Sequence, residues 1–456
     1  MRRWPVAEHR TGRRPVAVAV AIHLLAQLGP AAGVALDQRT RSQEASRQQQ
    51  AARSALRSRS GKADPAVPPL TPTQYLLISS PAESKIVYTQ LSNFKSEAGV
   101  ATALVDSGLS QPRGLALDHT HGYLYVADSG LRSIYRFHLI FQSTTDGTST
   151  LTTDGVQLTI VTDRDVDWVT TDINGDVFFS DKTNRFVGHL TYATIEMLAK
   201  GEAEASSLVI VSHDQLLQES VDAVTSGLTM VSDNVPKEPT APVAELLVAY
   251  SANGTPMAHS PSGISSDGVR VYWGNEVSGA KYGSAVRGET YPKAVPGPNN
   301  SDLTFQTVAL AENVNTTYGL VKSSASVIFA SDGGPNASSN RGGYVYGVAD
   351  APTPTGTPAV YALSSTLVSP RGLCWDGDQT VYVADEGANM VYSMPVGRLA
   401  DGVPLGVAVG TEGPFGLALL SVDDAFYSGG AAGRCRAAAG FGALAVALAA
   451  ALAVPA

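Results

Sequence analysis

Residues 111–137 read QPRGLALDHTHGYLYVADSGLRSIYRF. Gly114 to Leu117 is a short apolar strand, and Asp118 to Gly122 a turn. Tyr123 to Ala127 is a second strand ending at Asp128, and a polar SGLRS turn leads to a third at Ile134 to Phe137. The phrase returns from Ser369 as SPRGLCWDGDQTVYVADEGANMVYSM. A unit that recurs cannot bury both faces alone and must stack on its own copies.

Further copies lie between and beyond these two. They are WVTTDINGDVFFSDKTNRFVGHL from Trp168, SGISSDGVRVYWGNEVSGAKYGSAV from Ser262, and YGLVKSSASVIFASDGGPN from Tyr318, followed by GGYVYGV from Gly342. The last is FGLALLSVDDAFYSGG from Phe415. Each has an apolar strand, an Asp/Gly turn and an aromatic-rich strand, closing in turn as YVAD, FFSD, YWGN, FASD, YVAD and FYSG. Units of about fifty residues fit four antiparallel strands each. The chain is therefore read as all-β, a β-propeller of six blades, with seven as the alternative.

The choice turns on the wide interval from Trp168 to Ser262. Residues 191–260 hold IEMLAK and DQLLQESVDAV, with helical character, beside apolar SLVIVSH and AELLVAYS. They are either an insertion or a degenerate blade, and six inner strands, at Gly114, Trp168, Gly263, Gly319, Gly372 and Gly416, favour insertion. The first unit, at Tyr75, begins without an inner strand, so the segment at Gly416 is expected to complete it and remove the open edges.

The P-x-G-[LI] start, the [YF]-x-x-[DN] strand end and their spacing resemble the YWTD repeats of the low-density lipoprotein receptor family (class B). They also resemble NHL and gluconolactonase-type propellers, over about residues 73–428. This resemblance implies a ring whose ligands dock on one face or in the central channel. Strand direction puts Arg113 and Arg371 on the same face as Asp128, Arg132, Asp181, Lys182, Asn275, Asp332, Asp385 and Glu386. These are the candidate binding residues. Turn chemistry competes for Asp128, Asp181, Asp332 and Asp385, because an Asp at a strand end accepts local backbone N–H bonds. Arg113 and Arg371 then serve as partners of those acids.

Gluconolactonase-like propellers hold a divalent cation in the channel through Glu, Asn and Asp oxygens, the hard donors calcium prefers. Here the inner strands read GLAL, GISS, GLVK and GLCW, and no such set assembles. The histidines show neither H-x-x-x-H nor H-E-x-x-H spacing, and no G-x-S-x-G stands out. The expectation is a module without a cofactor, with a metal-dependent lactone or ester hydrolase carrying one calcium as the alternative.

The chain of 456 residues is 44% hydrophobic and 16% charged, with a net charge of -9. Nucleic acid is thereby excluded, since a phosphate backbone needs clustered Lys and Arg. Two cysteines, Cys374 and Cys435, make neither a disulfide framework nor a zinc site. Residues 1–35 carry a basic front, an apolar stretch and small residues, as a secretory signal does. Residues 36–72 are a Gln-, Ser- and Arg-rich leader without a core. Residues 429–456 combine small residues, Arg434 and Arg436, and an uncharged apolar tail. This pattern fits a GPI-anchor signal attached at Ser428, Gly429 or Gly430, the alternative being a single membrane-spanning helix. Sequons at Asn253, Asn299, Asn315 and Asn336 suit a glycoprotein of the secretory pathway. The expected product is a membrane-anchored cell-surface propeller for an extracellular protein or glycan.

Overall fold

The computed structural model describes residues 73–91, 101–143, 149–212, 243–247, 258–276, 283–290, 307–312, 314, 316–333, 341–350 and 358–422. Four expectations lie outside them: the signal and leader, the helical character of DQLLQESVDAV, the four sequons, and the C-terminal tail with its attachment residues. Among the described residues no helix is long and apolar enough to cross a membrane.

Six sheets form. Blade I takes its inner strand from the far end of the chain. Leu417–Val422 pairs with Thr73–Ser80, which pairs with Lys85–Leu91 and then Thr102–Val105. Thr73 lies opposite Val422 and Ile78 opposite Leu417. Blade II is Pro112–Asp118, Tyr123–Asp128 and Ser133–Ser143, with its outer position shared by Leu158–Val161 and Ser149–Thr153. Blade III is Val166–Thr171, Val177–Asp181, Phe186–Leu190, Val243–Leu247 and, parallel to that strand, Val209–Ser212. Blade IV is Pro261–Ser266, Arg270–Asn275, Ala285–Glu289 and Val308–Ala311. Blade V is Thr317–Lys322, Ser326–Gly333, Arg341–Ala349 and Val360–Leu367. Blade VI is Pro370–Trp375, Thr380–Asp385, Met390–Pro395 and Gly406–Gly410. Inner strands touch in the order II, III, IV, V, VI, I and back to II. The ring is a six-bladed propeller, and the seven-bladed alternative falls.

The second strands are apolar on both faces because each blade is covered on both sides. In blade II, Leu124 and Val126 pack toward blade I, and Tyr125 and Ala127 pack toward blade III. The long interval after blade III supplies a helix, Tyr192–Ala199, capped by the Thr191 side chain accepting from Thr194 N–H. Its buried Ile195 and Leu198 seal the core between blades II and III. The strands Val209–Ser212 and Val243–Leu247 widen blade III.

Five inner strands carry glycine where they press on the next blade. A Cβ on Gly319 would stand 2.1 Å from the Arg371 carbonyl oxygen, and one on Gly416 2.0 Å from that of Arg113. On Gly263 and Gly372 it would meet the next inner strand at 2.3 Å, and on Gly114 at 2.7 Å. Blade III departs from this plan, with Trp168 in the equivalent position.

Candidate functional site at the channel mouth

The residue before each of these positions stands at one end of the channel: Arg113, Asp167, Ser262, Tyr318, Arg371 and Phe415. Beside them emerge the loops that follow the second strands. Arg113 is paired with Asp167 at 2.8 Å, and its guanidinium lies 5.2 Å from the Phe415 ring centre. Lys182 of blade III pairs with Glu276 of blade IV. Arg371 bonds Asp332 at 2.9 Å and Glu386 at 2.8 Å, and its guanidinium covers the Tyr318 ring at 4.1 Å. Charges of both signs thus encircle the opening.

The centre of the mouth is aromatic. Trp168 lies tilted against Phe415, with ring centres 5.2 Å apart; Phe415 comes from the other side of blade II, and Tyr318 packs against the same cluster. The indole takes up the room that glycine leaves in the other blades. Arg113 Nε, Asp167 Oδ1 and Trp168 Nε1 are buried here with no hydrogen-bond partner among the described residues. Each such atom costs about 1–3 kcal/mol, so this wall is held by packing at the expense of polar satisfaction.

Burial pushes the Asp167 carboxyl above its ordinary range despite the Arg113 and Lys182 charges. Burial raises Glu276 likewise, against the pull of Lys182. Tyr318 is raised by burial and by donating its hydroxyl proton to Asp332. The mouth therefore holds two carboxyls more easily protonated than exposed ones.

Four of the expected face residues are placed differently. Asp128 and Asp181 are 0% exposed, Asn275 is 0% and Asp385 is 1%. Asp128 accepts from Ser110, Gln111 and Leu131 N–H, and Asp385 from Val368, Ser369 and Ala388 N–H. Asp181 accepts from Asn184 backbone and side chain, and Asn275 accepts from His259 N–H. These four fasten loops and present nothing to a ligand. Asp332 does not belong with them. Ser331 holds the matching register, opposite Thr317, so Asp332 falls one residue later and turns outward to Arg371. Arg113, Asp332, Arg371 and Glu386 are brought together at the mouth, while exposed Arg132 stands by itself at the rim, donating to the Asp163 carbonyl at 3.2 Å. Asp167, Glu276, Tyr318, Phe415 and the plugging role of Trp168 were not anticipated. The second position of the P-x-G-[LI] start, compared across copies, marks most of them.

The channel mouth does not fit a divalent cation. Of the six inner-strand residues there, only Asp167 is a carboxylate, and it is committed to Arg113, while Glu276, Asp332 and Glu386 in the neighbouring loops are committed to Lys182 and Arg371. Among the described residues no three His, Cys, Asp or Glu side chains converge as a metal site would need.

No protein-family model matches the chain, and no curated protein does. Solved structures similar to it include a nidogen/laminin complex at 15% identity, covering 77% of this chain and all of that one, with a TM-score of 0.44. A putative 6-phosphogluconolactonase from Bacteroides fragilis is 12% identical over 78% of this chain and all of that one, with a TM-score of 0.43. The periplasmic gluconolactonase of Pseudomonas aeruginosa is 14% identical over 77% of this chain and all of that one, with a TM-score of 0.38. The strand order stands independently of these likenesses: the chain is a six-bladed β-propeller.

Proposed function

We propose that this chain is a secreted, membrane-anchored propeller that binds an extracellular protein or glycan through the channel-mouth face. The observation that carries this reading is the circuit of partly exposed charges, Arg113, Lys182, Asp332, Arg371 and Glu386, around an aromatic plug. Such a surface offers a macromolecule paired charges, two arginines among them, over a buried aromatic base, and arginine is enriched where binding energy concentrates. The hydrolase reading has the two raised carboxyls in its favour, but Asp167 is bound to Arg113 and Glu276 to Lys182.

The test uses the full chain expressed on cells. Release by a phosphatidylinositol-specific phospholipase and a mass shift on deglycosylation are expected. Arrays of extracellular proteins and glycans should yield a partner whose binding weakens at least tenfold in Arg371→Glu, with the fold intact. Turnover of a lactone or ester panel, abolished by chelation, would overturn the binding reading.

A further inference from the structure

Away from the mouth, blade II has an irregularity that no other blade shares among the described residues. Its third strand, Ser133–Ser143, is paired along its outer edge by two separate strands. Ile134 to Arg136 face Leu158–Val161, and Leu139 to Ser143 face Ser149–Thr153. The chain linking those two strands, 154–157, swings away between them, with Asp154 N–H donating to the His138 carbonyl. Beside the gap is a half-open surface pocket of about 200 Å³ lined by Tyr123, Arg136, His138, Asp154, Val156 and Leu158. It lies toward the end of the blade opposite the channel mouth, where Tyr123 begins the second strand.

We propose that this cavity binds one neutral sugar ring, such as the terminal residue of a glycan. Tyr123 and His138 are cross-strand partners with ring centres 5.4 Å apart, and form one wall. Arg136, 7% exposed, is fixed over the Tyr123 ring at 4.1 Å and held by Glu196 of the helix at 2.8 Å. Asp154 is oriented by accepting from Val156 N–H at 2.9 Å. Its other oxygen, both His138 ring nitrogens and the Tyr123 hydroxyl have no hydrogen-bond partner among the described residues. Acceptor and donor therefore stand side by side around an aromatic and aliphatic lining of Tyr123, Val156 and Leu158. A pyranose presents that combination in reverse, with hydroxyls at its edge and C–H groups on its face.

Charge and size narrow the class. Glu196 already neutralises Arg136 and Asp154 adds a negative charge, so an anion is disfavoured. The Tyr123 face under the guanidinium is closed to cation and sugar alike, so the ring lends its remaining edge to the apolar lining. Drug-sized pockets run to ~300–1,000 Å³, so this smaller cavity takes a single ring.

The test is saturation-transfer NMR on the full chain with methyl glycosides of glucose, galactose, mannose and N-acetylglucosamine, beside inorganic phosphate and methylammonium. Saturable binding of at least one glycoside is expected in the millimolar range, about what so few contacts supply. Asp154→Ala and His138→Ala should each weaken it at least tenfold, and Val156→Trp, filling an exposed position, should abolish it. Thermal melts establish that each variant folds. Arg371→Glu, on the opposite face, should leave glycoside binding unchanged, so this site and the channel-mouth face fail separately. No saturable glycoside binding, binding indifferent to all three cavity variants, or a preference for phosphate or methylammonium would overturn the proposal.

Discussion

Blades III and VI share the plan of their four innermost strands and meet the channel in opposite ways. Blade VI starts PRGL, and the bare backbone at Gly372 lets the next inner strand close to contact. Blade III starts VDWV, and a full indole stands where that contact would be. At the other end of the second strand the two agree, since Asp385 and Asp181 are both buried and bound to their own loops. A repeat thus keeps its architecture through the loop-fastening acid while changing its surface through two residues of the inner strand.

The largest effect expected from disturbing this comparison is at the glycine. Gly319→Ala forces a Cβ to within 2.1 Å of a neighbouring carbonyl oxygen, and inner strands in contact have little room to give. Loss of soluble protein, or a fall of about 3 kcal/mol or more in denaturant unfolding, is expected. Full stability would refute the close-approach argument. Next comes Trp168→Gly, which gives blade III the common plan. Removing a buried indole should cost ~3–5 kcal/mol, and a variant as stable as the parent would mean the plug adds nothing to the ring.

A smaller contrast separates the two kinds of strand-end acid. Asp385→Ala strands three backbone N–H groups and should cost about 3 kcal/mol. Asp332→Ala removes a half-exposed ion pair and should cost under ~1 kcal/mol. Equal costs would dissolve the distinction drawn from their registers.

The smallest effect is in pH dependence, and here two acids oppose one another. Asp167 has a folded value above its unfolded one, so its contribution to stability falls as pH rises from about 4, the ordinary carboxyl range, toward that higher value. Asp350 is the reverse. Burial opposes its charge, but the Tyr272 hydroxyl, Arg287 and Lys322 outweigh burial and hold it low. Its stabilisation is present above the ordinary carboxyl range and is lost as pH falls through the folded value. Melting temperatures across that range should therefore lose part of their alkaline decline in Asp167→Asn and part of their acid decline in Asp350→Asn. Parallel profiles for the two variants would contradict these assignments.

The ring was legible in the sequence because turn, strand length and the closing acid are local properties that recur. GLALL at Gly416 also pointed to closure, since a strand without a partner near the start of the chain needed one from its end. The mouth was less legible. VDWV shares neither proline nor glycine with its counterparts, so nothing in the string aligns Asp167 with Arg113. Asp332 looks like its neighbours in FASD, yet register depends on which residue pairs with Thr317, and that is decided across strands. The blade II cavity was not legible at all. It exists because one long strand exchanges partners midway, and no single segment encodes that exchange.

The seam in blade I sets an order of events for the chain as it is made. Gln74 and Ser421, whose side chains meet across it, are 347 residues apart. Bringing such distant points together costs on the order of 5 kcal/mol in chain entropy when nothing between them is structured. Blades II to VI, each contiguous, can form during synthesis and shorten that span before the seam is made. The strand at Thr73–Ser80 waits throughout with one edge unpaired, a template for its equivalent on another copy. A chain halted before residue 417 would keep that edge, so the last of the described strands to emerge is also the one that ends this edge's exposure to other copies.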